Sequence, residues 1–169
     1  MKFSVGVEYA MHCLLYMVKL EGNKSVGIKE LAKFQGISET YLSKVYGKLS
    51  KSGIVKSVPG VKGGYALAKS AEDISFWDVV ESIEGKEPFF QCAEIRQNNI
   101  LVDKENLSEE YTSCPCLIKV VMVEAEEKMR EYLKGKTLAW LYDEVYNKKL
   151  PKSEENNMIQ WFNERIKGK

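Results

Sequence analysis

Two groups of residues in this chain have types and spacing that could do chemistry. The first lies in GISETYLSKVYGKLSKSG, residues 36–53, where Ser38, Glu39, Thr40, Ser43, Lys44, Ser50 and Lys51 fall on one side of a helical period, with Lys48 at its edge. Short hydroxyl and carboxylate side chains can meet base edges and lysines can meet phosphates, so this face has the chemistry of a nucleic-acid reader. The second group is Cys92, Cys114 and Cys116. In a cytosolic setting such cysteines serve as free thiols, ligands or redox switches more often than as structural disulfides. Only Pro115 separates Cys114 from Cys116; two such thiols can oxidise, although the ring they close is strained and easily reduced. A zinc site is disfavoured, because only three cysteines cluster and the one histidine, His12, is not near them in sequence. Cys13, between apolar neighbours, reads as a small buried hydrophobe.

The first group needs a helix that buries its other side. Ile37, Tyr41, Leu42, Val45, Tyr46 and Leu49 recur at helical spacing to form that underside. Ser38 suits the N-cap, and Gly53 suits the left-handed residue that commonly ends a helix. Residues 28–34 form a short helix ahead of it, with Ile28, Leu31 and Ala32 inward. Gln35-Gly36 then turns the chain, which yields a helix-turn-helix. Behind the recognition helix, residues 54–58 and 65–67 have strand composition, with Pro59-Gly60 and Gly63-Gly64 supplying the turn. A hairpin in that place is a wing, whose Lys56, Lys62 and Lys69 would reach the phosphate backbone or the adjacent minor groove.

Other elements frame this module. Ser4 caps a first helix running to about Leu20, with Val7, Ala10, Met11, Leu14, Leu15 and Val18 inward, and Glu21-Gly22-Asn23-Lys24 is a turn. Ser75 and Asp78 form a capping-box-like pair opening a helix that ends at Gly85. Residues 86–115 show little periodicity and read as a long loop, of the kind that is functional or partly disordered. Residues 117–133 form a long helix whose stripe of Val121, Met122, Ala125, Met129, Tyr132 and Leu133 suits a second copy of the chain, since groove-binding helix-turn-helix proteins usually read paired half-sites. Thr137 caps a further helix, Pro151 breaks it, and Ser153 opens a last amphipathic one.

Composition narrows the function classes. The net charge of +1 hides an asymmetry: residues 1–69 carry 11 lysines against 4 acids, whereas residues 70–169 carry 14 bases against 20 acids. A basic first half joined to an acidic remainder fits a polyanionic partner for the first half alone. No apolar run is long enough to cross a bilayer and no export signal opens the chain, so a cytoplasmic protein is expected. No nucleotide-binding or nucleophile motif is present and the carboxylates are scattered, so an enzyme is not expected.

Taken in order, YAMHCLLYM, IKELAKFQGIS, YLSKVYGKLSKSGIVKS, GGYALAKS and DISFWDVVESIEG resemble the Rrf-two family of winged-helix transcription regulators, closely over about residues 1–86 and more loosely to Leu141. The resemblance implies a mainly α fold with a small β-hairpin wing: a winged helix-turn-helix over 1–85, a cysteine-containing sensor loop over 86–116, a dimerisation helix region over 117–150 and a C-terminal extension over 151–169. It implies a homodimer, probing a palindromic operator in double-stranded DNA, that works as a repressor tied to redox, iron-sulfur or metabolite status. Ser38, Glu39, Thr40, Ser43 and Lys44 are then base and nearby phosphate contacts, Lys48, Lys51 and Lys56 phosphate contacts, and Lys62, Gly63, Gly64 and Tyr65 the wing. Family members often carry an arginine just before the first wing glycine; Pro59 stands here, with Lys62 as its replacement.

Several members of the family hold an iron-sulfur cluster through three cysteines, and in some a first-helix carboxylate from the partner subunit is the fourth ligand. Cys92, Cys114, Cys116 and Glu8 occupy the corresponding places, but 21 residues separate Cys92 from Cys114, where the family spacing is short and regular. Thiolates are the preferred ligands of such centres. The alternatives are a thiol switch or cysteines with no sensing role, and, for the whole chain, a winged-helix module acting through a partner protein.

Overall fold

The computed structural model describes residues 2–20, 24–60, 63–103 and 105–167. They form two compact units, one comprising Lys2–Gly85 with Leu133–Lys169 and the other Lys86–Tyr132. The chain is mainly helical with one two-stranded antiparallel hairpin.

In the larger unit α1 (Val5–Met17) is the central core helix, fully burying Ala10, Cys13 and Leu14. It stops short of Leu20. Ser4 stands at its N-cap position without capping it; the Ser4 hydroxyl and amide both donate to the Glu84 carboxylate, at 2.7 and 2.8 Å. The turn expected at residues 21–24 lies outside the described residues except for Lys24.

The helix-turn-helix forms as its periodicity dictates. Leu31 and Ala32 of α2 (Ile28–Gln35) are buried, and Gly36 adopts a left-handed φ of 71° that lets the chain turn at once into α3 (Glu39–Lys51). Ser38 caps α3 by accepting the Tyr41 N–H. Strands β1 (Val55–Val58) and β2 (Gly64–Leu67) follow directly, in the register Val55 to Leu67 and Val58 to Gly64. On its other edge β2 bridges Val26, with Val26 N–H donating to the Tyr65 carbonyl at 2.8 Å and Tyr65 N–H returning the bond at 2.9 Å.

The remaining helices close the core. Ser75 and Asp78 make the expected capping box of α4 (Phe76–Glu84), and Gly85 ends it. Thr137 caps α7 (Leu138–Tyr142) through the Trp140 N–H. Leu138 N–H bonds the Ile74 carbonyl and Phe76 N–H the Lys136 carbonyl, both at 2.8 Å, which stitches the starts of α4 and α7 together. A π-helical stretch, Asp143–Lys149, leads to Pro151 and α8 (Lys152–Lys167). Ser153 therefore lies inside the first turn of α8 and does not open it, because the helix starts directly after the proline.

The C-terminal extension is a packed part of the larger unit. Phe162 of α8 is fully buried, its ring centroid 4.8 Å from that of Phe34 on α2 and 6.0 Å from Tyr16 on α1, with Trp161 5.0 Å from Phe34. Burying such an aromatic cluster yields several kcal/mol of hydrophobic stabilisation, on the order of 25 cal/mol per Å² removed from water.

The smaller unit holds a short 3-10 turn at Ile95–Asn98, helix α5 (Glu109–Ser113) and most of the 18-residue α6 (Leu117–Lys134). Residues 86–115 thus contain two short helical pieces that their weak periodicity did not announce. Side chain to backbone bonds hold them: Gln97 donates to the Tyr111 carbonyl at 3.1 Å, as does Arg96. No residue of α6 is buried.

Candidate functional site

Helix α3 has two faces, although Tyr41, which its spacing placed on the underside, is left exposed. Leu42, Val45, Tyr46 and Leu49 are buried, and the Tyr46 hydroxyl bonds the Met17 sulfur at 3.3 Å. Glu39, Thr40, Ser43, Lys44, Lys48 and Lys51 are exposed on the other side, Ser38 is exposed at the cap, and Ser50 is half-buried. Hydroxyls, a carboxylate and ammonium groups thus share one accessible surface on a rigid helix.

Not every lysine of that surface is disengaged. Lys48 Nζ donates to the Ile83 carbonyl at 2.6 Å, where a cation meets the carbonyl end of α4. The ammonium has two further N–H donors, and Lys48 is exposed. Lys56 is exposed on β1.

The wing root does structural work. A Cβ on Gly64 would lie 2.5 Å from the Val26 carbonyl carbon and 2.8 Å from the Gly27 nitrogen, so only glycine allows β2 to approach that backbone. The Tyr65 ring packs edge-on against Tyr46 at 5.1 Å. Gly63 N–H donates to the Gly60 carbonyl at 2.8 Å and closes the described part of the turn. Lys62 lies outside the described residues. The Val26 bridge is the feature that sequence reasoning missed, since a single extended residue leaves no periodic trace.

The cysteines separate into three environments. Cys13 is completely buried in α1, and burial pushes its thiol up to about 12. Cys114 is exposed, its sulfur 3.9 Å from the Ser113 hydroxyl. Cys92 and Cys116 are half-buried, and the Cys92 S–H donates to the Glu94 carboxylate at 3.6 Å. Cys116 sits just before α6. The backbone N–H groups of Lys119 and then Ile118, with the Cys92 thiol, hold its own thiol below the usual range, against partial burial and the Glu94 charge.

Arg96 organises this group. It donates to Glu94 Oε2 at 2.9 Å, to the Tyr111 carbonyl at 3.1 Å and to the Cys114 carbonyl at 2.6 Å. The guanidinium and its hydrogen bond hold the Glu94 carboxyl below the usual carboxylate range. Glu94 itself has a left-handed φ of 50°, a conformation that non-glycine residues seldom adopt.

These cysteines do not form a ready cluster site. Cys114 lies beside the Ser113 hydroxyl and Cys92 beside the Glu94 carboxylate, and among the described residues no three His, Cys, Asp or Glu side chains are placed to hold a metal ion. Glu8 belongs to the larger unit, exposed on α1 at the edge of a mainly apolar cleft of about 500 Å³ lined by Met11, Leu15, Phe76, Leu141 and Leu150.

A helix-turn-helix followed by a hairpin whose strands pair directly behind α3 defines a winged-helix protein. The Rrf2 family model, described as an iron-dependent transcriptional regulator, matches residues 3–144. The chain belongs to this family and is a DNA-binding transcription regulator. It is similar to protein rrf2 of Nitratidesulfovibrio vulgaris, 34% identical over 82% of this chain and 85% of that one. It is also 40% identical to the regulator IscR of Cereibacter sphaeroides, over 50% of this chain and 56% of that one. In structure it is similar to the oxidized form of CymR from Staphylococcus aureus, with a TM-score of 0.61 at 26% identity, over 86% of this chain and 98% of the other. Members of the family are transcription regulators and not enzymes. Among the described residues no helix is long and apolar enough to cross a membrane.

Proposed function

We propose that the protein is a cytoplasmic, homodimeric repressor that reads a palindromic operator through Ser38, Glu39, Thr40, Ser43 and Lys44 in the major groove. Lys48, Lys51 and Lys56 hold the flanking phosphates, and the hairpin around Lys62 and Gly63 follows the backbone. Gly64 and Tyr65 set the root of that hairpin. The observation that carries this reading is the division of α3 into a buried apolar face and an exposed face of donors and cations.

The dimer rests on α6. Val121 is 61% exposed, and Leu117, Ile118, Met122 and Val123 are also exposed along the same helix. Such a contiguous apolar stripe is an interaction surface. A second copy presenting the same stripe would cover it and set two recognition helices about one DNA turn apart, ~34 Å.

Operator binding is tested by fluorescence anisotropy with duplexes tiled across the protein's own promoter region, alongside sedimentation equilibrium. A dimer that prefers one palindromic duplex over scrambled DNA by at least 10³-fold, on the order expected for specific regulators, supports the reading. Weak binding without sequence preference would favour the competing one, a winged-helix module that acts through a partner protein.

The cysteine unit is the sensing element in this reading, with redox, iron-sulfur or metabolite status as the signal. An iron-sulfur cluster on Cys92, Cys114 and Cys116, with Glu8 as a fourth ligand, is the reading the family resemblance supports. The same protein prepared anaerobically tests it by visible absorption and by iron and sulfide content.

A further inference from the structure

We infer that the cleft along α1 is an effector site for a hydrophobic organic cation, with Glu8 at its rim as the counter-charge. The effect on DNA rests on the proposed role as an operator-binding protein; the site itself does not.

The cleft, of about 500 Å³, lies wholly within the larger unit, between α1, the first residue of α4 and the stretch from α7 to Leu150. Its size and its walls are those of a small-molecule pocket, mostly apolar with a few polar groups. Met11, Leu15 and Leu141 supply aliphatic surface, and Tyr16, Phe76 and Tyr146 bring three aromatic rings. The Tyr16 hydroxyl is already given to Gln35, so that residue brings apolar surface and not a free donor. Tyr146 belongs to the π-helical stretch Asp143–Lys149, a rare conformation that recurs at functional sites.

Glu8 decides the class of ligand. It is exposed, it is the one carboxylate among the lining residues, and no lysine or arginine is among them; His12, one turn along α1, is exposed beside it. Aromatic rings attract a cation through their negative faces. A carboxylate at the rim adds to that attraction and repels an apolar anion of the same shape.

Helix α1 joins the cleft to α3. The Tyr9 ring stands edge-on to Tyr41 of α3 at 5.7 Å, and the Met17 sulfur takes the Tyr46 hydroxyl bond at 3.3 Å. Displacement of α1 by a bound cation is thus passed through packed side chains to the helix proposed to read DNA.

The test uses the reduced full-length protein and two ions of one shape and opposite charge, tetraphenylphosphonium and tetraphenylborate. Calorimetry is expected to show one phosphonium ion per chain, bound about tenfold tighter than the borate. The Phe76 ring is 6.0 Å from Trp140, so binding should change Trp140 fluorescence, a signal that Trp140→Phe removes while calorimetric binding persists. Glu8→Gln, at an exposed position, should weaken phosphonium binding about fivefold, the upper range for an exposed ion pair. Tyr146→Leu should weaken it about threefold, as for loss of a cation–π contact. Operator affinity should shift about fivefold with phosphonium, the lower range of coupling between two sites, and the midpoint of that response should rise in Glu8→Gln. Equal binding of the two ions, several phosphonium ions per chain, wild-type affinity in Glu8→Gln, or operator affinity indifferent to phosphonium would overturn the inference. So would a dimer that excludes the ion while the monomer takes it, which would put a second copy in the cleft, and so would iron lost on Glu8→Gln, which would give that carboxylate to a cluster. A protein with no operator preference refutes the regulator reading instead, and the calorimetry still decides the site.

Discussion

Val26 and Tyr65 exchange both of their backbone hydrogen bonds, at 2.8 and 2.9 Å, across a gap that only Gly64 permits. The wing is therefore held to the segment that leads into α2, and hairpin and helix-turn-helix are placed by the same backbone contact. Gly64→Ala puts a Cβ 2.5 Å from the Val26 carbonyl carbon. The expected loss is about 1–3 kcal/mol, as for other forced overpacking, read as a lower urea midpoint. Gly47→Ala, at a helical site with no atom within 4 Å of the added carbon, should instead stabilise by roughly 0.5–1 kcal/mol. Equal effects of the two substitutions would refute the wing contact.

Lys44 is exposed on α3, whereas Lys48 is bonded to the Ile83 carbonyl. Lys44→Ala should weaken operator binding severalfold and make the dependence of log affinity on log salt shallower by about 0.9, the value of one phosphate contact, without lowering thermal stability. Lys48→Ala should lower stability as well. An unchanged slope for Lys44→Ala removes that residue from the phosphate contacts.

Phe162 lies beyond the end of the family match at residue 144, yet it is fully buried against Phe34 of the helix-turn-helix. Phe162→Ala should cost about 3–5 kcal/mol, the usual range for emptying a buried aromatic site. Chemical denaturation followed by tryptophan fluorescence would read this, Trp161 being 4.9 Å from Phe162. A cost near zero would mean that α8 is not docked.

Glu155 is a buried acid, 4% exposed, held by Lys152 and by the Tyr142 hydroxyl. The Lys152 ammonium and then Tyr142 hold its carboxyl below the usual carboxylate range. A carboxyl depressed in the folded state contributes stability that is fully present above its unfolded value, about 4.3, and is lost as pH falls through the folded value. Stability should thus be flat above about pH 5 and decline on acidification, with Glu155→Gln reducing the slope. A wild-type slope in the variant would exclude Glu155 as a contributor.

Cys13 is buried with its thiol raised to about 12, so Ellman's reagent should titrate Cys92, Cys114 and Cys116 in the native reduced protein and Cys13 only in denaturant. Rapid native reaction of Cys13 would contradict the packing of α1.

Much of this molecule is written locally. Leu42, Val45, Tyr46 and Leu49 repeat at the helical period, Ser38, Ser75 and Thr137 cap the helices that follow them, and Gly36 and Gly85 end the helices before them, because each such preference is settled within three or four residues. The exposed face of α3 and the stripe of α6 follow from the same spacing. Contacts between distant residues have no such period. Nothing in the order of residues joins Val26 to Tyr65, Lys48 to the Ile83 carbonyl or Phe34 to Phe162. Nor does that order announce Arg96, which reaches the Glu94 carboxylate and the Tyr111 and Cys114 carbonyls. Residue types and local spacing determined which elements form and which faces they offer. The tertiary structure decided which side chains meet, because meeting depends on backbone paths that close across many residues.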